Sequence, residues 1–301
     1  MRKWDVSVID FHTHIFAPEF VGRRETYLQR DAWFGQLYSD PKANMVTAEE
    51  LIAEMDRSGV DAAVAFGFAW ADQELCRAAN DYVLEAVSRW PQRLFGFAVV
   101  NPSAPRALPE LERCLAAGLR GLGELMPDGQ GYTLDDQRLD ALVAQMARWR
   151  RPILVHAGEP IGHPYPGKST STLQPLYELA RRHPDVTLVA AHWGGGLFFY
   201  ELMPEVRRVL SNVYYDTAAS LYLYQDDIFP LAARIAPHKV LFATDYPLIG
   251  QGRFLSHVRC VGLGASDLAA VLGGNARRIL CAAGPNGGQA DDGDDSGLCG
   301  H

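Results

Sequence analysis

Five residues stand where short apolar runs stop: His12, His14, His156, His192 and Asp245. His12 and His14 close the run Ile9-Asp10-Phe11-His12-Thr13-His14. Residues i and i+2 of a strand share a face, so the two imidazoles point the same way. Side by side they can chelate one divalent metal, although a pair of satisfied core histidines has the same spacing. The pattern then recurs. His156 follows Ile153-Leu154-Val155, His192 follows Val189-Ala190-Ala191, and Asp245 follows Phe242-Ala243-Thr244, each just before a Gly- or Pro-containing turn. A buried ionisable group at a strand end needs a partner, and one shared metal would serve all five. The chemistry implied is activation of water, whose pKa a bound metal lowers from about 15.7 towards about 7. A nearby carboxylate would take the proton, and the hydroxide would attack a carbonyl carbon. His163, His183, His238, His257 and His301 fall in loops, helices or the tail and read as structural.

The elements that must position these residues alternate. Strand candidates are Val6–His14, Ala62–Ala69, Leu94–Asn101, Leu119–Leu125, Ile153–Ala157, Thr187–His192, Val213–Thr217 and Val240–Thr244. Eight is the number that closes a (β/α)8 TIM barrel, and its active sites gather at the mouth formed by the strand ends. Runs such as Ile153-Leu154-Val155 lack polar alternation, as strands covered on both faces do. Helices between them carry start and stop signals. Thr47 and Glu50 form a capping box, Gly59 closes that helix, and Asp72 to Trp90 ends at Pro91. Residues 16 to 46 form a long insertion rich in aromatics, readable as a lid or binding loop, a packed loop, or a subunit contact. The expected organisation is one α/β barrel domain over 1–283 and a disordered Gly/Asp-rich tail over 284–301.

Composition narrows the function. The chain has 301 residues, 48% hydrophobic and 21% charged, with a formal net charge of -8. That length suits one barrel, and a core of this size needs no metal staple. An acidic chain without a Lys/Arg run is not expected to bind nucleic acid. No apolar stretch is long enough to span a bilayer, and no leader-like h-region follows Met1. The 5 cysteines are scattered, so reduced thiols in a cytoplasmic protein are expected. A homo-oligomer is compatible with all of this.

The combined motif, "IDFHTHIF", "ILVHAGEP", "AHWGGG" and "LFATDYP", resembles the amidohydrolase superfamily, in the amidohydrolase-related branch that also contains non-oxidative decarboxylases. The resemblance runs from Val8 to about Leu280. It implies that His12, His14 and His156 are ligands of a zinc-like ion. Asp245 would be a ligand that also takes a proton from bound water, and His192 a second-metal ligand or a proton relay. It further implies that Glu124, at the end of strand 4, is a bridging carboxylate between two ions; the competing reading is a core glutamate paired with a base. In the loop 158–168, Lys168 could hold an anionic group of a small-molecule substrate, with Tyr165 flanking it and Glu159 behind, unless Glu159 and Lys168 form a loop ion pair. Gly194–Gly196 either turn backbone N–H groups to the site or are glycine for steric reasons. The expected activity is metal-dependent hydrolysis of a C–N or C–O acyl bond, with zinc, as one or two ions, the expected metal. The alternative is non-oxidative decarboxylation of a small unsaturated or aromatic acid.

Overall fold

The structure is a computed structural model that describes residues 8–169 and 172–281. The tail over 284–301 lies outside the described residues. Eight parallel strands run in sequence order: β1 (Ile9–His14), β2 (Ala62–Phe66), β3 (Leu94–Ala98), β4 (Gly121–Leu125), β5 (Ile153–Val155), β6 (Leu188–Ala190), β7 (Val213–Asp216) and β8 (Val240–Leu241). The ring closes where Phe11 N donates to Phe242 O at 2.8 Å, His14 N donates to Tyr246 O at 2.8 Å, and Thr13 bridges Tyr246. Helices separate the strands, so the fold is a (β/α)8 TIM barrel.

All eight expected strands are present, each shorter than its apolar run. Ladder bonds stop first, and the polar residue at the end of the run is released into the mouth. That is why His156, His192 and Asp245 all sit just beyond β5, β6 and β8. Side chains sort by strand alternation. Phe11, Phe97, Leu154, Val189 and Leu241 fill the barrel interior, while Ile153, Val155, Leu188 and Val240 pack under the helices. The Thr47 capping box forms, with Thr47 N donating to Glu50 Oε2 at 2.7 Å. Its stop is also as expected, because Gly59 ends the helix in the left-handed region at φ 72°.

Residues 16–46 are not an irregular loop. They form three short helices, Pro18–Gly22, Arg24–Arg30 and Ala32–Tyr38. Cys76, Cys114 and Cys260 are free thiols as expected, but Cys281 is disulfide-bonded, against the expectation of reduced thiols throughout. Among the described residues no helix is long and apolar enough to cross a membrane.

Candidate metal centre

The strand ends bring six donors together. His12, His14 and Asp245 form one triad and Glu124, His156 and His192 another, with the donor atoms of each within 4.8 Å of one another. His12 Nε2 lies 3.2 Å from His14 Nε2. Asp245 Oδ1 lies 3.4 Å from His12 Nε2 and 3.3 Å from His14 Nε2. Glu124 Oε2 lies 3.6 Å from His12 Nε2 and 3.8 Å from His14 Nε2. Donors about 2.0–2.2 Å from a zinc-like ion in a tetrahedron stand about 3.3–3.6 Å apart. The measured separations have that size.

Glu124 faces both triads. Its Oε2 looks towards His12 and His14, while Oε1 lies 3.0 Å from His156 Nδ1 and 3.7 Å from His192 Nε2. It is 2% exposed, and neither it nor Asp245 has an arginine or lysine partner among the described residues. Glu124 is paired with imidazoles and not with an arginine or lysine among the described residues.

The imidazoles are held with lone pairs turned inward. His12 Nδ1 donates to Asp216 Oδ2 at 2.9 Å, His192 Nδ1 to the Ala218 carbonyl at 3.2 Å, and His156 Nε2 to the Gly167 carbonyl at 2.9 Å. Each such bond fixes the tautomer and leaves the other nitrogen for a cation. His14 Nδ1 is buried without a hydrogen-bond partner.

Electrostatics also ask for positive charge. Burial alone would lower the His12 and His192 pKa values. The carboxylates Glu124, Asp245 and Asp216 overcome it, pushing His192 up to about 9 and His12 well above its usual range. Burial would raise Glu124 and Asp245, but the surrounding imidazoles, His12 first, hold both well below the usual carboxylate range. Without metal, protons supply the cation the carboxylates require. A divalent ion would replace them.

Two carboxylates that sequence reasoning passed over support the cluster. Asp216, fully buried at the end of β7, binds His12 through Oδ2, while its Oδ1 accepts from His192 N at 2.8 Å and Ala218 N at 3.0 Å. Asp10 accepts from Thr244 Oγ1 at 2.6 Å, Gln251 Nε2 at 2.9 Å, Thr244 N at 3.0 Å and His12 N at 3.3 Å. It thus ties β1 to the turn that carries Asp245. The signal for Asp216 was present, since it too is a polar residue ending an apolar strand.

Local backbone conformation is unusual at two donors. His192 and Asp245 have φ of 55° and 60°, in the left-handed region that costs a non-glycine residue about 1–2 kcal/mol. The turn continues left-handed through Trp193 to Gly196. A Cβ on Gly195 would lie 2.3 Å from the Gly158 carbonyl oxygen, so this glycine is steric.

In the loop 158–168 Tyr165 joins both its partners, with Lys168 Nζ 5.5 Å from its ring centroid, while Glu159 and Lys168 do not pair. The Tyr165 hydroxyl donates to Glu159 Oε2 at 2.8 Å. Lys168 Nζ donates to the carbonyls of Ile161 and His163, both at 3.0 Å, so its ammonium closes its own loop instead of pairing with Glu159.

Solved structures resemble this chain over nearly its whole length. A 5-carboxyvanillate decarboxylase from Sphingomonas paucimobilis matches with TM-score 0.73 and 20% identity, over 92% of this chain and 99% of that one. A 2,6-dihydroxybenzoate decarboxylase from Rhizobium matches with TM-score 0.67 and 18% identity, over 92% and 99%. A 5-carboxyvanillate decarboxylase from Novosphingobium aromaticivorans, complexed with manganese and 4-hydroxy-3-methoxy-5-nitrobenzoic acid, matches with TM-score 0.72 and 16% identity, over 91% and 96%. At these identities the likeness is one of fold. The family itself is shown by sequence: the amidohydrolase family model matches residues 9–281, and the chain belongs to that family.

Proposed function

We propose that this protein is a metal-dependent, non-oxidative decarboxylase of a small aromatic or unsaturated acid. The observation that carries the reading is the cluster of imidazole and carboxylate donors at the barrel mouth, able to hold a divalent metal, in a fold similar to that of aromatic-acid decarboxylases. Phe66 lies with its ring edge-on, 5.1 Å from that of His12 and 4.8 Å from that of His14. Phe16, two residues beyond His14, packs with Phe34 and Tyr38 of the insertion. Phe66 and Phe16 are fully buried against the donor histidines and the insertion, and the similar solved structures named above are of decarboxylases of aromatic acids.

In this reading His12, His14, Glu124, His156 and Asp245 would hold the divalent metal, and His192 would stand beside it as the proton donor. Mixed imidazole and carboxylate donors suit manganese as well as zinc. Bound metal would supply Lewis acidity that orients the substrate's oxygens and spreads their charge. The protein supplies the proton. His192, with Nδ1 tied to the Ala218 carbonyl, presents Nε2 towards the site and would give that proton to the ring carbon bearing the carboxylate. The bond to the carboxylate carbon then breaks, its electron pair restores the ring, carbon dioxide leaves, and His192 recovers a proton from water. Asp245 and Glu124 keep the proton-bearing imidazole charged until transfer.

A second reading is hydrolysis of a C–N or C–O acyl bond, and one observation favours it. Glu124 turns one oxygen to each triad, as a carboxylate bridging two ions would, and paired ions serve to activate water. Asp245 would then take the proton of that water. Incubating the metal-loaded protein with benzoates and with aryl lactones or amides decides between them. Carbon dioxide release supports the first reading. A new carboxylate without carbon dioxide overturns it in favour of the second.

A further inference from the structure

The insertion over 16–46 is fixed across the barrel mouth at several points. Its ends meet where Phe16 N donates to Val46 O at 2.8 Å. Buried Asp31 caps the helix Ala32–Tyr38 through Phe34 N at 2.9 Å and also accepts from Ala71 N, beyond β2, at 2.9 Å. Trp33 covers Gly129 beyond β4, where an added Cβ would lie 2.5 Å from its ring. Leu37 covers Gly167, where an added Cβ would lie 2.7 Å away, and the Gly167 carbonyl is the one that holds His156. The segment is therefore a strap with a set position, not a free loop.

Tyr38 ends the strap's last helix. Its ring stacks on Phe34 at 4.6 Å and meets Phe16 at 5.3 Å and Phe68 at 6.0 Å. Arg24 Nε donates to its carbonyl at 2.8 Å. These contacts use its backbone and its ring. Its hydroxyl has no hydrogen-bond partner among the described residues, and the side chain is only half-buried. It stands on the strap between Phe16, which follows His14, and Leu37, which covers the glycine whose carbonyl holds His156. Burial, and after it the charges of Asp245 and Glu124, push this phenol well above its usual range, so it remains a donor. The ammonium of the loop, Lys168, is already bound to two carbonyls.

We propose that Tyr38 contacts the substrate: from the underside of the strap its hydroxyl donates a hydrogen bond to an oxygen of a planar aromatic acid held over the donor cluster. This rests on the substrate class proposed above, not on which bond is cleaved. The test is equilibrium binding, followed by absorbance or calorimetry, of benzoate, 2,6-dihydroxybenzoate and 4-hydroxy-3-methoxy-5-nitrobenzoate to the manganese-loaded protein. Tyr38→Phe keeps the ring stack and removes only the donor. It should weaken the acids that bind by roughly tenfold, the loss of one hydrogen bond, with manganese affinity by chelator competition and Tm unchanged. Equal binding by Tyr38→Phe and the natural protein would overturn the proposal while leaving the substrate class standing. Failure of the natural protein to bind any of the three acids would overturn the substrate class and the role of Tyr38 with it.

Discussion

Asp216→Asn is the perturbation that separates holding a metal from holding the fold. The carboxylate does two jobs, taking the His12 Nδ1 proton at 2.9 Å on one oxygen and the His192 and Ala218 N–H groups at 2.8 and 3.0 Å on the other. An amide has one acceptor and cannot do both. If its NH2 faces His12, the imidazole must move its proton to Nε2, and the lone pair that faces His14 and Asp245 is lost. If its NH2 faces the backbone, two N–H donors meet donors inside a site with no access to water. Removing such a partner of a metal-bound histidine costs about 10–100-fold in metal affinity, equivalent to about 1.4–2.7 kcal/mol. The metal-free fold should lose about 1–3 kcal/mol for the unsatisfied group. Chelator competition measures the first quantity and denaturant unfolding of the metal-free protein the second. A variant that binds zinc and manganese as tightly as the natural protein would refute the claim that His12 Nε2 is a ligand oriented by Asp216.

Other consequences are equally open to measurement. Metal-free protein should release at least one proton per ion bound at pH 7, and affinity should climb with pH above 7, because His12 is raised well above its usual range and must lose its proton to bind; no change in buffer protonation on titration with metal would contradict this. By the same linkage, stabilisation of the metal-free fold by His192 is complete below about 6.5, its unfolded value, and is lost as pH rises through about 9. Glu110 is forked by Arg113 Nε and Nη2, both at 2.8 Å, and also bound by Asn80 at 2.9 Å. Glu110→Gln should cost about 1.5–3 kcal/mol at neutral pH. Burial opposes its charged form, but Arg113 and Asn80 hold it below the usual range, so the penalty should shrink as pH falls below about 4.5; a penalty independent of pH would remove the ion pair from the explanation. Gly195→Ala forces a Cβ to 2.3 Å from the Gly158 oxygen at φ 60° and should destabilise by about 2 kcal/mol or more, read as a lowered Tm. Lys168→Ala should affect neutral and anionic ligands alike, since its ammonium closes the loop; a KM rise confined to anions would show that it reaches substrate.

The sequence made the barrel legible because strands covered on both faces must be apolar throughout, and each such run ended in a residue that did not belong there. His12, His14, His156, His192 and Asp245 were visible for that reason, and Glu124 was pointed to by the family resemblance. What escaped is what closure creates. Asp10 is far along the chain from Thr244 and Gln251, and only the seam between β8 and β1 makes them neighbours. Asp216 meets His12 across the barrel, not along a strand. The strap was legible as aromatic and long but not as helical, because helices of 5 and 7 residues are too short to display a 3.6-residue period. Lys168 makes contacts that sequence does not show. Its charge suggested a ligand-binding role, but nearby backbone carbonyls, which composition cannot show, take up that charge.

The most direct measurement is a crystal of the manganese-loaded protein with anomalous data collected at the metal edge. The account predicts an anomalous peak among these side chains, with His12, His14 and Asp245 about 2.0–2.2 Å from it and His192 Nε2 not among its ligands; a second peak on His156 and His192, with Glu124 contributing an oxygen to each, would favour the hydrolytic reading. A fully loaded crystal with no anomalous peak between these donors, or with Glu124 turned away from every peak, would contradict it.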